Sequence, residues 1–201
     1  MNVELIADTV ARRAPRHDAR PAMRVRAIAP LGGGISGLLV TARRRDRGET
    51  WYRVLLPRRP NGSQGWISER RLRVLRNPYR ISIDLSDRTL TLSKNGRRAL
   101  RTTISIGRPS APTPPGRYAV AENIRTNAPR SYLGAHALPL TGFSERLRYF
   151  MGGSARLAIH GTNRPGLIGS ASSHGCNWVA ADPLRRIAAL AQPGTPVLIR
   201  R

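Results

Sequence analysis

The residues of this chain that could do chemistry are concentrated in one short stretch near its carboxyl end. Cys176 is the single cysteine of the chain, and two of its four histidines, His160 and His174, precede it closely. A thiol is a weak nucleophile until it is ionised, and an imidazole within hydrogen-bonding reach can take its proton and return it to a leaving amine. This combination predicts a cysteine nucleophile, Cys176, served by His160 and His174.

The residues around this thiol fit acyl transfer. Gly161 and Gly175 permit a close backbone approach or a positive φ that a side chain would hinder. The backbone N–H groups of Gly175 and Cys176 lie beside the attacking atom, where a developing oxyanion needs donors. We therefore expect Gly175 to belong to an oxyanion or site loop, and Ser173 lies two residues before it.

Two other interpretations of the same residues stay open. Histidine and cysteine both bind zinc, but a closed site needs four ligands, and neither Cys-x-x-Cys nor His-x₃-His spacing occurs here. A lone cysteine is also commonly a small buried apolar residue. In that case the thiol is inert and the histidines belong to the core.

The elements that must position these residues are predicted to be mainly short β-strands. Over residues 81–106 apolar and polar residues alternate, and Asn95-Gly96 is typical of a tight hairpin turn. Residues 122–150 are rich in turn formers and predict an irregular lid or substrate wall, or else a plain surface excursion. Asp182-Pro183 predicts the N-cap and first residue of a short helix near the C-terminus.

The first part of the chain divides into an arm and a small domain. Residues 1–24 mix arginine with proline and show no sustained periodicity, which predicts a basic N-terminal arm that is extended or mobile. Residues 25–77 contain short β-like runs between turns. The runs around Trp51 and Trp66 resemble those of a bacterial SH3-like domain, a small β-barrel. The expected domains are thus an arm (1–24), an SH3-like domain (25–77) and a β-rich domain (78–201).

The charge of the chain indicates an anionic environment. The net charge is +24, and every basic residue except Lys94 is arginine. Such a charge suits nucleic acid, anionic lipid or an anionic wall polymer, although arginine could also serve only solubility. We expect no nucleic-acid partner, because there is no nucleic-acid-binding motif and few aromatic residues are interleaved with the arginines.

Residues 79–201 resemble the L,D-transpeptidase (YkuD-like) catalytic domain. The resemblance is carried by Ile159-His160-Gly161-Thr162 followed by Ser173-His174-Gly175-Cys176. The turn Thr113-Pro114-Pro115-Gly116 and the closing run Gly194-Thr195-Pro196-Val197 are also similar to that family. An SH3-like domain ahead of the catalytic domain is a familiar arrangement in such proteins.

The resemblance implies a peptidoglycan enzyme that crosslinks stem peptides and so takes part in wall biogenesis and cell shape. Cys176 would attack the carbonyl between a diamino acid and a terminal D-alanine, D-alanine would leave, and an amine of a second stem would take the acyl group. His160 matches the general base, while Ser173, His174 and Gly175 match the motif beside the nucleophile. The resemblance implies no metal or organic cofactor.

The chain departs from the family pattern directly after the nucleophile. The family usually has a hydrophobic residue followed by Arg or Asn, whereas this chain has Asn177 and Trp178. Gly161, Thr162, Asn177 and Trp178 are candidate substrate-binding residues. The departure keeps two alternatives open: an L,D-carboxypeptidase of the same fold, which passes the acyl group to water, and a catalytically weakened protein that binds the cell wall.

The remaining expectations concern partners and location. Stem peptides are the expected substrate, anionic wall polymers are expected to bind the arginine-rich surface, and the protein is expected to be a monomer. No run is long enough to span a membrane, and no apolar signal core is visible near the N-terminus. A location outside the cytoplasm, in the periplasm or wall or as a secreted protein, is implied by the substrate alone.

Overall fold

The computed structural model describes residues 1–201, and its first sheet is made entirely by residues 2–75. Its strands are β1 (Asn2–Leu5), β2 (Thr9–Arg12), β3 (Pro21–Val25), β4 (Gly37–Asp46), β5 (Glu49–Leu55), β6 (Gln64–Ser68) and β7 (Leu72–Leu75). All neighbours are antiparallel, in the order β3-β2-β6-β5-β4-β1-β7. A core of ten buried residues lies within this part of the chain.

The structure differs from the arm expected over residues 1–24. β1 pairs with β4 and β7, while β2 pairs with β3 and β6, so these residues are part of the sheet. The physical reason is that the short apolar runs between the arginines supply core residues. Val3 and Ala11 are fully buried, and Leu5 is nearly so. Runs of four residues are too short to show periodicity but long enough to form strands.

The second sheet is made by residues 79–200. Its strands are β8 (Tyr79–Asp84), β9 (Thr89–Lys94), β10 (Arg97–Gly107), β11 (Gly116–Ala119), β12 (Ile124–Arg125), β13 (His136–Phe143), β14 (Arg156–His160), β15 (Ala171–Ser173), β16 (Asn177–Val179) and β17 (Pro196–Arg200). They lie in the order β11-β17-β8-β9-β10-β16-β14-β13-β12, with β15 paired to β10. The protein is therefore mainly β, as predicted.

The stretch 122–150 is more regular than its composition suggests, because it contains β12 and β13. β13 pairs with β14, with an irregularity between Pro139 and Phe143. Gly142 lies within that irregularity, where a Cβ atom would stand 2.3 Å from the Tyr118 ring. The proline and glycine thus mark a bulge under an aromatic ring rather than an irregular loop.

The single α-helix, α1 (Ala181–Leu190), packs on this sheet through Leu184, Ile187 and Ala188. It begins two residues earlier than predicted: Ala180 is the N-cap, and Asp182 lies in the first turn. An acidic side chain there still favours the positive end of the helix. No helix of the structure is long and apolar enough to cross a membrane.

The two sheets are joined by several polar contacts. The Asn2 side chain donates to the Pro193 carbonyl at 3.0 Å. The Glu122 carboxylate accepts from the backbone N–H groups of Leu31 and Gly32 at 2.9 and 2.8 Å. Arg59, in the loop that joins β5 to β6, donates three hydrogen bonds to backbone carbonyls of the segment between β13 and β14.

Candidate active site

The predicted catalytic residues lie at one surface of the second sheet. Directly paired residues place His160 between Ala137 of β13 and Trp178 of β16, and Trp178 is paired in turn with Ser105 of β10. The alternate residues of the same strands, such as Ile159, belong to the hydrophobic core. Because side chains alternate across a sheet, the sheet has a core face and an opposite site face, and His160 lies on the site face.

Cys176 continues β16 by one residue and falls on the same face. In the register that pairs Ile159 with Asn177, Cys176 lies opposite Ala158. His160 is therefore one strand across and two residues along from Cys176, close enough for a histidine ring and a thiol to meet at the surface of the sheet. The sequence separates these two residues by a loop, and the parallel pairing of β14 with β16 brings them together.

The hydrogen bonds of His160 define its tautomer. Nδ1 lies 2.6 Å from the Gly161 carbonyl oxygen, which can only accept, so Nδ1 carries the proton. Nε2 then holds a lone pair, and it is buried without a hydrogen-bond partner. Burial lowers the pKa of His160 to about 4, opposed in part by the bond to the Gly161 carbonyl. At neutral pH this histidine is an uncharged base with its accepting nitrogen unoccupied.

The thiol is uncharged in the resting structure as well. Burial raises the pKa of Cys176 to about 11, opposed by a hydrogen bond with the Ala158 backbone. The sulfur points to the Arg156 carbonyl, 3.9 Å away, and it makes no hydrogen bond to His160 Nε2. The pair is thus a neutral thiol near a neutral imidazole, and the thiol would have to ionise before it could act as a nucleophile.

The loop that leads to Cys176 is held by two hydroxyl groups. Ser173 Oγ donates to the Cys176 carbonyl at 2.6 Å and accepts from the Gly175 N–H at 3.1 Å. Thr113 Oγ1 donates to the Gly175 carbonyl at 2.9 Å and accepts from the Gly107 N–H at 2.9 Å. Gly175 itself has φ of +113°, which requires glycine. In this arrangement the Gly175 N–H is engaged by Ser173.

Aromatic side chains line the same region. The Tyr132 ring lies 5.4 Å from His160 and 6.0 Å from Trp178, measured between ring centroids. Phe150 lies 4.6 Å from His174 and 6.4 Å from Tyr132. Burial and the nearby Cys176 raise the pKa of the Tyr132 phenol. Partial burial and the charge of Arg108 lower the pKa of His174. The two histidines thus share one aromatic wall.

The structure separates the candidate substrate-binding residues into different environments. Trp178 packs against His160 on the site face, with centroids 6.5 Å apart. Asn177 alternates to the core face, is 1% exposed, and its Nδ2 has no hydrogen-bond partner. Gly161 meets the backbone of Gly134, where a Cβ atom would come within 2.9 Å. Thr162 is half-buried, and its hydroxyl accepts from the Arg164 N–H at 3.0 Å.

The two other histidines do not join the site. His17 lies in the first sheet region and contacts Glu49 at 2.8 Å. His136 of β13 precedes Ala137, so it alternates to the face opposite His160. No group of three or more His, Cys, Asp or Glu side chains is arranged to hold a metal ion.

Sequence reasoning missed three residues that the structure brings to the site. Tyr132 and Phe150 both lie in the segment 122–150, whose predicted role as a lid or wall pointed to the region but not to particular side chains. Thr113 lies in the proline-rich turn on which the family resemblance partly rested. A polar residue inside an otherwise apolar turn was the one signal that could have marked Thr113 as a buried hydrogen-bonding residue.

Comparison with known proteins supports this description of the second sheet. The family model of the YkuD L,D-transpeptidase catalytic domain matches residues 78–199. The YkuD protein of Bacillus subtilis is 32% identical over 124 residues, which cover 62% of this chain and 67% of that protein.

Solved structures show the same fold. An L,D-transpeptidase from Mycobacterium tuberculosis aligns with a TM-score of 0.52 and 16% identity over 81% of this chain and 98% of that chain. L,D-transpeptidase 3 from Mycobacterium tuberculosis, in complex with a faropenem-derived adduct, aligns with a TM-score of 0.51 and 15% identity over 81% of this chain and 98% of that chain. On the match to residues 78–199, with the fold and the His160–Cys176 segment in place, the chain belongs to the L,D-transpeptidase (YkuD) family.

Proposed function

We propose that the protein is a peptidoglycan L,D-transpeptidase in which Cys176 is the nucleophile and His160 the general base. The observation that carries the proposal is the neutral, buried His160 whose Nε2 has no partner, placed one strand from the single thiol on the same face. A base with a free accepting nitrogen and a nearby thiol is the arrangement that acyl transfer needs. Family membership supplies the substrate class, stem peptides that end in D-alanine.

The reaction follows in two half-steps. The Cys176 proton passes to His160 Nε2 as the sulfur attacks the carbonyl between the diamino acid and D-alanine, and the resulting imidazolium returns that proton to the leaving D-alanine amine. In the second half-step an amine of another stem attacks the thioester and gives its proton to His160, and the thiolate leaves and recovers the proton. No metal or organic cofactor takes part.

The hydrogen bonds of the loop before Cys176 suggest which donor would meet the oxyanion. Since the Gly175 N–H is engaged by Ser173 Oγ, the backbone N–H of Cys176 is the first candidate to meet the developing charge. His174 lies against Phe150 with its Nδ1 buried and unpaired. We propose that His174 contacts the substrate from this position.

The first sheet is proposed to be an SH3-like module that, with the rest of the surface, holds the enzyme on the wall. Eight ion pairs involve only seven of the arginines, and +24 is the charge that remains after every acidic side chain has been counted. Anionic wall polymers are the proposed partners, which places the protein outside the cytoplasm. Raising the salt should release it from purified wall sacculi, and retention that ignores salt would contradict the electrostatic part of this proposal.

The catalytic assignment is tested with disaccharide tetrapeptide as substrate. Cys176→Ala and His160→Ala should abolish crosslinked dimers, whereas His136→Ala, a histidine on the other face of the same sheet, should leave them unchanged. A carbapenem should form an adduct on Cys176 that mass spectrometry detects. Tripeptide monomers in place of dimers would indicate the L,D-carboxypeptidase. Absence of both products and of the adduct would indicate a wall-binding protein without activity.

A further inference from the structure

The segment between β13 and β14 forms a flap over the aromatic wall. It is closed at its base by a hydrogen bond from the Ser144 N–H to the Ala155 carbonyl at 2.9 Å. We define the flap as residues 144–155. Near its tip, Phe150 and Gly153 exchange two backbone hydrogen bonds of 2.9 Å. Phe150 then reaches back onto His174, so the position of the flap sets the position of that ring pair.

Inside the flap, Ser144 Oγ accepts from the N–H groups of Arg146 and Leu147 at 3.3 and 3.0 Å, which orders only its first turn. Its tip exposes Tyr149 and Met151, at 78% and 76% of their surface, and Met151 has φ of +47°. The flap carbonyls that accept backbone hydrogen bonds are those of Phe150, Gly153 and Ala155. Other carbonyls of the flap are therefore available to partners outside the second sheet.

The first sheet region supplies that support through one arginine. Arg59, in the loop between β5 and β6, donates to three flap carbonyls: Ser144 at 2.6 Å, Leu147 at 3.0 Å and Ser154 at 3.1 Å. A planar guanidinium with several donors in fixed directions can bind three acceptors at once, which a lysine cannot do with the same geometry. These carbonyls come from both arms of the flap, so Arg59 ties the arms to each other.

A second residue of the same loop holds the strand end from which the flap departs. The Asn61 side chain accepts from the Phe143 N–H at 2.8 Å and donates to the Phe143 carbonyl at 2.9 Å. The Arg59 guanidinium also lies over the Phe143 ring, 5.0 Å from its centroid. The loop therefore takes up the backbone groups that β13 would otherwise leave unpaired where it ends.

We propose that Arg59, supported by Asn61, is a positioning residue that clamps the active-site flap from the first sheet region and so keeps Phe150 on His174. The consequence is that the first sheet region serves turnover directly, in addition to any attachment to the wall. The expected effect of Arg59 on turnover rests on the proposed transpeptidase function. The expected effect of Arg59 on the order of the flap does not, because the clamp is a contact between groups of the protein itself.

The test compares Arg59→Ala with Arg58→Ala in the full chain. Arg58 is the neighbouring half-buried arginine, but its guanidinium donates to Ala22 and to the Arg59 carbonyl, both outside the flap. Hydrogen exchange read by mass spectrometry on peptides spanning residues 144–155 should speed up about tenfold or more in Arg59→Ala, since one bond to a charged donor alone shifts an equilibrium by about that factor. The same peptides should be unchanged in Arg58→Ala.

Turnover is measured on the same proteins. We expect Arg59→Ala to lose about tenfold in kcat/KM for crosslinking while its melting temperature stays close to that of the parent. Arg59→Lys keeps the charge and the apolar stem, so its melting temperature should also stay close to that of the parent, but it should not restore flap protection. Unchanged flap exchange in Arg59→Ala, or full recovery in Arg59→Lys, overturns the clamp. An inactive parent protein would contradict the proposed function instead, and the exchange measurement would still decide the clamp.

Discussion

His160 should make the stability of this protein depend on pH in a way that one substitution removes. Its pKa of about 4 in the folded protein lies well below the ordinary value of 6.5, because burial disfavours the imidazolium. At mildly acidic pH His160 therefore binds a proton in the unfolded chain but not in the folded protein. Stability is fully present above about pH 6.5 and is lost as the pH falls towards 4.

The magnitude follows from the size of the shift. Lowering the pKa from 6.5 to about 4 corresponds to about 3.4 kcal/mol in total, of which about 2 kcal/mol is lost between pH 7.5 and pH 5. His160→Asn removes the titration, while its amide can still donate to the Gly161 carbonyl in place of Nδ1. The difference in unfolding free energy between the parent and this variant should shrink by about 2 kcal/mol over that range.

The assay is urea unfolding of both proteins at the two pH values, followed by tryptophan fluorescence. Other titrating groups change both proteins alike and cancel in the difference. A difference that stays constant with pH would mean that His160 titrates near its ordinary pKa. The reasoning that makes it a neutral, unoccupied base would then be refuted.

Three further outcomes are expected. Thr113→Val should destabilise the protein by about 2–4 kcal/mol in urea unfolding, because the Gly107 N–H and the Gly175 carbonyl lose their buried hydrogen-bond partner. Thr113→Ser should restore most of the lost stability, and equal stability of the two variants would contradict this role of the hydroxyl. Glu122→Gln should lower the free energy of unfolding by about 3 kcal/mol in the same measurement, since Arg156 keeps its charge in a largely buried position without its partner. An unchanged free energy of unfolding would show that solvent reaches the pair. Iodoacetamide labelling of Cys176 should keep rising beyond about pH 9 because its pKa is raised to about 11, whereas a plateau below pH 7 would indicate a preformed thiolate.

Much of the strand pattern in the second sheet could be predicted from the chain alone. The alternation over residues 81–106 and the Asn95-Gly96 turn correspond to β8, β9 and β10 with their hairpin. Local preferences suffice there because each strand pairs with its neighbour in the chain. The first 25 residues could not be predicted in this way. β1 pairs with β4 and β7, which lie about 35 and 70 residues further along the chain, and nothing local reports such partners.

The candidate site shows the same division. The roles of Cys176 and His160 stay predictions, but the segment that holds them is the one the family match covers. Tyr132 and Phe150 reach this segment only through folding, because each lies in a connection whose path depends on the strands beside it. The structure also shows where the two residues that depart from the family pattern, Asn177 and Trp178, lie. Alternation along β16 turns Asn177 to the core face and Trp178 to the site face.

By itself, the sequence determined the kinds of group available: a single thiol, two nearby imidazoles, a glycine that can adopt a positive φ, and a large positive charge. Only the tertiary structure decided their states. Burial lowers the pKa of His160 and raises the pKa of Cys176, the parallel pairing of β14 with β16 puts them on one face, and Arg59 reaches the flap across the boundary between the two sheets. These properties depend on solvent exclusion and on contacts between distant segments, which residue types and spacing do not contain.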